Sequence, residues 1–174
     1  AATFMRFLFR WQHFTPARQL QHEGGLLEVV EQLQGFEAAA GAWESEILPS
    51  RIADYRPNVL EDLCLAGEVA WGRFSRRPSN GNGHASRATF ARNTPISLGL
   101  RGALPWLLDD TPTNGAQLTG AAGEVLEYLS QQGASFLPDI ILETRRLPSE
   151  VDNALWQLVA AGLVTADGFG ALRG

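Results

Sequence analysis

The chain has 174 residues, 45% of them hydrophobic, and a formal net charge of −5. That apolar content supports a packed core and excludes disorder throughout, and no run of 18 apolar residues is present to span a membrane. A single cysteine excludes an internal disulfide and fits a reducing cytoplasm. All fourteen basic residues are arginine, and without lysine no phosphate loop of the G-x-x-x-x-G-K type can exist.

Residues 3–14 place Phe4, Phe7, Leu8 and Trp11 at i, i+3, i+4 and i+7, one apolar helix face. Arg6, Arg10 and His13 interrupt this run and no cleavage signature follows, so it does not read as a signal peptide. A start without Met inside a helical pattern suggests a piece of a longer protein. Thr15-Pro16 reads as a cap and first position of a short second helix, and Gly24-Gly25 as its break. This opening segment, residues 1–24, has no closure of its own and is expected to pack against a neighbour.

The next helix is expected over residues 26–34, with Leu26, Val29, Val30 and Leu33 inward and Gly35 as its stop. A further helix is expected from Ala38 to about Ala53, with Trp43, Ile47 and Leu48 inward and Pro49 either kinking it or splitting it in two. Pro57 suits a first helical position, Leu60, Leu63 and Cys64 follow at helical spacing, and Gly67 ends that helix. Glu68 to Phe74 and Thr94 to Leu100 alternate as half-buried strands do. Between them, Ser75 to Ser86 is too polar to form a core. Helix, helix, helix, strand, long loop, strand is a winged-helix order, with the loop as the wing.

The charge distribution singles out the same stretch. From Val69 to Leu108 lie six of the fourteen arginines and none of the nineteen acids, so this segment carries +6 and the remainder −11. Arg73, Arg76, Arg77, Arg87, Arg92 and Arg101 are therefore the candidate nucleic-acid-binding residues: guanidinium groups neutralise phosphates, with binding that weakens as salt rises. Phe74, His84 and Phe90 could add base stacking, and Arg51, Arg145 and Arg146 further backbone contacts. The third helix, by contrast, carries Glu61 and Asp62 and no base, which disfavours major-groove reading and keeps a protein-interaction role open. Cys64 reads as a buried structural thiol. His13, His22 and His84 are isolated, without metal-ligand spacing.

Residues 109–115, DDTPTNG, read as a linker. Thr119 can cap a helix from Gly120 to Gln132, Ser135-Phe136 reads as a short strand, and helices are expected over 138–144 and 149–161. Leu163–Ala166 and Phe169–Leu172 read as strands joined by a tight Asp167-Gly168 turn. A pattern L-x-x-L-x-x-A-G-x-V recurs at an offset of 95, pairing Leu60 with Leu155, Leu63 with Leu158 and Gly67 with Gly162. Two copies of a helix-to-strand corner argue for two winged helices.

The blocks WQHF (11–14), GGLLEVVEQLQGFEAAAGAWESEILPSRIADY (24–55), LEDLCLAGEVAWGRFS (60–75), TPISL (94–98) and LWQLVAAGLVTADGFGALR (155–173) together resemble the C-terminal portion of the bacterial large helicase-related proteins. The resemblance implies a parent DNA-repair helicase whose motor uses ATP and Mg. It also implies a C-terminal extension of winged helices ending in a β-barrel, similar to winged-helix DNA glycosylases and linked to oligomer formation and uracil excision. Glycosylases of that fold carry a Gln-x-Gln or Gln-x-Asp motif where this chain reads Gly35-Phe36-Glu37-Ala38, so no catalytic residue is carried over.

The fold expected is mainly α with small β wings: a helical segment (1–24), a winged helix with a long arginine-rich wing (25–108), a linker (109–115) and a second winged helix (116–174). The function expected is a cytoplasmic, non-catalytic DNA-binding and assembly module of a repair helicase. Its expected partners are DNA, neighbouring domains of the same protein and further copies of itself, with no membrane, no metal and no cofactor bound by this chain. The alternatives are an oligomerisation scaffold, or part of a glycosylase completed by a barrel outside the chain.

Overall fold

A computed structural model describes residues 2–74, 93–108, 118 and 120–173. Helix α1 (Ala2–Trp11) and a 3-10 turn (Pro16–Arg18) precede α2 (His22–Leu33). Strand β1 (Ala38–Ala39) runs into α3 (Ala40–Ala42) and a π-helical turn (Trp43–Ile47), followed by α4 (Pro57–Leu65), β2 (Val69–Gly72) and β3 (Pro95–Leu100). The sheet order is β1-β3-β2, antiparallel throughout, with Ala38 opposite Ile96 and Val69 opposite Leu100. Helix, strand, helix, helix, strand, strand with this pairing is a winged helix. A 3-10 turn (Arg101–Ala103) and α5 (Leu104–Leu107) close it. Helices α6 (Ala121–Gln132), α7 (Leu137–Thr144) and α8 (Pro148–Ala160) form a second unit.

The first core joins Leu26, Val29 and Val30 of α2, Trp43, Leu60 and Leu63, and Val69, Trp71, Ile96 and Leu98 of the sheet. Each helix contributes residues three and four apart and each strand alternate ones, the periods that put side chains on one face. The second core is smaller: Ala122, Val125, Ile140, Val151, Ala154 and Leu158. Helix α8 serves both, since Leu158 points into the second core and its neighbour Val159 into the first.

Several sequence expectations are corrected. Gly24-Gly25 does not break a helix; both lie inside α2. A Cβ on Gly25 would come within 2.8 Å of the Leu20 Cβ, so glycine lets the helix pass close to the Leu20–Ile52 bridge. The helix expected from Ala38 begins instead as a strand, because Ala38 and Ala39 pair with β3 and the Ala40 N–H donates to the Thr94 carbonyl. Sheet pairing outweighs the helix propensity of three alanines. The turn that follows is wound wider, with Leu48 N–H reaching the Trp43 carbonyl, and the buried Trp43 indole donates to the Ile96 carbonyl at 3.1 Å.

The third correction concerns the C-terminus. The repeat does encode the same local structure twice. Glu68 N–H bonds the Leu63 carbonyl and Leu163 N–H the Leu158 carbonyl, with Gly67 at φ +77° and Gly162 at φ +71°. Both are helix stops with glycine in the left-handed region. Only the first leads into a strand. Residues 163–168 form no strand and Phe169–Leu172 is a 3-10 turn, so the expected second hairpin is not formed. The expected short strand at Ser135-Phe136 is likewise not formed; Phe136 precedes α7 and is 81% exposed.

The tail docks on the first unit instead. Phe169 and Leu172 are buried in the first core, and the Phe169 ring meets Trp71 edge-on at 6.2 Å. The Trp71 indole donates to the Gly168 carbonyl, Thr165 Oγ1 donates to the Trp71 carbonyl, and Gly170 N–H donates to Glu61. Arg173 closes the arrangement: its fork donates to both Glu44 oxygens at 2.9 Å and lies 3.4 Å from Glu61. With the Arg173 side chain 36% exposed, solvent screens part of this attraction. Arg173→Ala is expected to cost about 1–2 kcal/mol in urea denaturation, because half-buried Glu44 loses its partner. An unchanged midpoint would show that the tail is held by its apolar contacts alone.

Candidate nucleic-acid interface

The wing connects β2 to β3, and Gly72 opposite Ser97 is the last pair before it. Of the six candidate arginines, Arg73 and Arg101 lie among the described residues; Arg76, Arg77, Arg87 and Arg92 lie outside them, as do His84 and Phe90. The linker 109–115 and the Thr119 cap lie outside them too.

Both described arginines bind backbone carbonyls, Arg73 at the wing end of the β2–β3 hairpin and Arg101 at its opposite end. Arg73 follows β2, and its Nη1 donates to the Ala160 carbonyl at 2.8 Å, joining the wing base to the end of α8. Its Nε is buried without a partner among the described residues. A Cβ on Gly162 would meet the Arg73 carbonyl at 2.5 Å, so the turn after α8 seats directly on this residue. Arg101 is exposed, and its Nε donates to the Gly67 carbonyl at 2.8 Å, bracing the helix stop that launches β2. Phe74 is 7% exposed. A Cβ on Gly99 would come within 3.0 Å of its ring, so Phe74 packs on the sheet and is not available as a stacking platform.

Two of the three accessory arginines, Arg51 and Arg146, are committed to partners within the protein. Arg51, 8% exposed, donates to the Ile47 carbonyl, Ser50 and Gln12 and lies 4.3 Å from the Phe14 ring centroid. Burial holds its pKa below the usual arginine value. Arg146 makes a fork on Glu124, at 2.6 and 2.9 Å, and approaches Glu150 at 3.5 Å. Arg145 is exposed and ends α7 in the left-handed region at φ +53°.

Helix α4, third of the winged helix, presents exposed Asn58, Asp62 and Leu65, while Glu61 is taken by the tail. No base lies on it. One cation at this end escapes the charge count: Arg56, exposed, immediately before α4. It lies outside the acid-free segment, and its position at a helix start was the available signal. It borders a cleft of about 400 Å³ lined also by Gln21, His22, Asp54 and Tyr55 over Leu26, Ile52 and Val59. His22 and Asp54 both hold left-handed backbone there, at φ +60° and +53°. Tyr55 donates to Glu44, and burial together with that carboxylate raises its pKa.

No metal-ligating cluster occurs among the described residues. Cys64 is 1% exposed on the inner face of α4. Burial, then the Glu61 charge, push its thiol up to about 12. A thiol in that state is inert, because the thiolate is the reactive form. Native protein at pH 8 is expected to resist Ellman's reagent until denatured; modification of the native state at the denatured rate would contradict this burial.

The family model for the large helicase-related protein winged-helix domain matches residues 1–92. The "Lhr helicase/probable uracil glycosylase" of Mycolicibacterium smegmatis is 33% identical over 98% of this chain, which spans 10% of that relative. The "Lhr helicase/uracil glycosylase" of Escherichia coli is 27% identical over 99% of this chain, which spans 12% of it.

Proposed function

The chain belongs to the large helicase-related protein family, as a region containing one of its winged helices, and on that premise we propose that it is a non-catalytic DNA-binding and assembly module of a longer repair helicase. The observation that carries this reading is the charge of residues 69–108: six arginines and no acid, in the stretch of sequence that contains both hairpin strands, against a net charge of −11 on the remainder of the chain. Such a field attracts phosphate and reads no sequence. Arg73 braces the wing base through the Ala160 carbonyl, and Arg101 braces the opposite end of the hairpin through the Gly67 carbonyl. Arg76, Arg77, Arg87 and Arg92 of the wing contact the nucleic-acid backbone. Helix α4, acidic and partly covered by the tail, does not enter a groove. ATP and Mg belong to the motor of the intact protein.

The test is fluorescence anisotropy with labelled single-stranded and duplex DNA across a salt series. Arg76→Ala with Arg77→Ala is expected to weaken binding and to lower the log–log salt slope by about 1.4–1.8, at about 0.7–0.9 for each phosphate left without its cation. An unchanged slope would remove the wing from the interface.

The names of both relatives favour a second reading, in which this region supports uracil excision in the intact protein. Glu37 is the carboxylate nearest the glycosylase motif position, and it stands between the Gly35 turn and β1. Here it is read as structural. Glu37→Gln in the intact protein is expected to leave excision from uracil-containing DNA within about twofold, whereas loss of a general base or acid removes about 10²–10⁴-fold.

A further inference from the structure

Helix α1 buries none of its ten residues. Phe4, Met5, Phe7, Phe9 and Trp11 are 45–62% exposed, and only Leu8 is half-buried. At about 100° per residue, these side chains cover an arc of about 200°, with Arg6 and Arg10 in the remainder. A surface helix lays a stripe of about 100° on its own domain. An arc twice as wide needs cover on both flanks, which one flat surface cannot give.

The helix is nonetheless firmly aimed. His13 turns left-handed at φ +57° and Phe14 N–H bonds the Phe9 carbonyl, closing the C-terminal turn. Gln32 donates to the Trp11 carbonyl at 2.8 Å, and buried Arg51 grips both Gln12 and the Phe14 ring. The base is fixed while the body stands clear of the core. An isolated helix of ten residues is marginal in water, and Arg6 and Arg10, four apart, repel each other.

Resting on the reading that this chain is part of a longer helicase-family protein, we propose that α1 is a docking helix that inserts Phe4, Phe7, Leu8 and Trp11 into an apolar groove of another domain of the same polypeptide. The i, i+3, i+4, i+7 spacing is the anchor pattern of helix-in-groove recognition. Charge complementarity specifies the rim. No acid precedes Glu23, while Arg6, Arg10 and Arg18 do, so the groove is edged with carboxylates. The length of the relatives supplies the occupant, since about nine-tenths of each lies outside the region this chain matches.

The experiment is hydrogen–deuterium exchange on the intact protein, wild type and Phe7→Glu with Trp11→Glu, with mass photometry at the same concentrations. In wild type the amides of residues 5–11 are expected to exchange on the order of tenfold more slowly than in the variant. A second segment of the polypeptide, acidic and apolar, is expected to lose protection in the variant. Unchanged exchange in α2 and β3 shows that the winged helix itself stays folded. Equal exchange of α1 in the two proteins overturns the proposal. Protection that disappears on dilution to the monomer also overturns it, in favour of a second copy. Protection gained only on adding single-stranded DNA overturns it in favour of a nucleic-acid surface. Loss of DNA binding in the wing variant leaves this result untouched, so the two readings fail separately.

Discussion

Arg173 holds two carboxylates from different parts of the chain, Glu44 in the π-helical turn and Glu61 on α4, and bridges them with a single planar fork. A guanidinium suits this place because its donors are fixed in a plane and stay charged at any working pH. Once Arg173 is seated, residues 168–172 lie along α4 and the Trp71 edge of the sheet, and Phe169 and Leu172 complete a core that the winged helix alone leaves open. The tail in turn fixes α8, whose last carbonyl receives Arg73. A chain of contacts thus runs from the C-terminal end to the base of the wing.

That geometry separates the arginines into two groups by what they face. Arg51, Arg73, Arg101, Arg146 and Arg173 are bonded to carbonyls or carboxylates of the protein itself. Their charge is directed at internal acceptors, several of them backbone groups that would otherwise go unpaired. Arg6, Arg10, Arg18, Arg56 and Arg145 are exposed. Net charge alone therefore misstates where a polyanion would be attracted, and the sequence count becomes informative only after the internally bonded cations are set aside.

Most helix positions were legible in the sequence because their signals are local, the exceptions being the start of α2 before Gly24-Gly25 and the strand at Ala38. Pro57, Gly35, Gly67 and the spacing of Leu60, Leu63 and Cys64 act over one or two turns, and the structure keeps each of them. The sheet was legible only in part. Strands β2 and β3 alternate visibly, but β1 is two alanines whose extended state depends on a partner nearly sixty residues away. The tail misled for a related reason. Residues 163–172 have the composition of a hairpin, and Asp167-Gly168 is a good turn dipeptide. A better apolar site for Phe169, against Trp71 on another element, decides the outcome, and no window of ten residues contains that information. At the interface, the arginine density was visible, while the internal use of Arg51 and Arg146 depended on Gln12 and Glu124, far away in sequence.

Strand β2 is the outer strand of the sheet, and a strand with an open edge is a template for joining the sheet of another molecule. Here the segment that follows α8 lies along that edge, with Thr165 on the Trp71 carbonyl and Gly162 against the Arg73 carbonyl. The edge is covered without a fourth strand, by side-chain and glycine contacts that a neighbouring sheet cannot extend. Shortening the chain after Gly162 would therefore do more than trim a tail. It would uncover a row of unpaired peptide groups beside Trp71, and the damage would be felt first as intermolecular strand pairing and aggregation during expression, before the winged helix itself came apart.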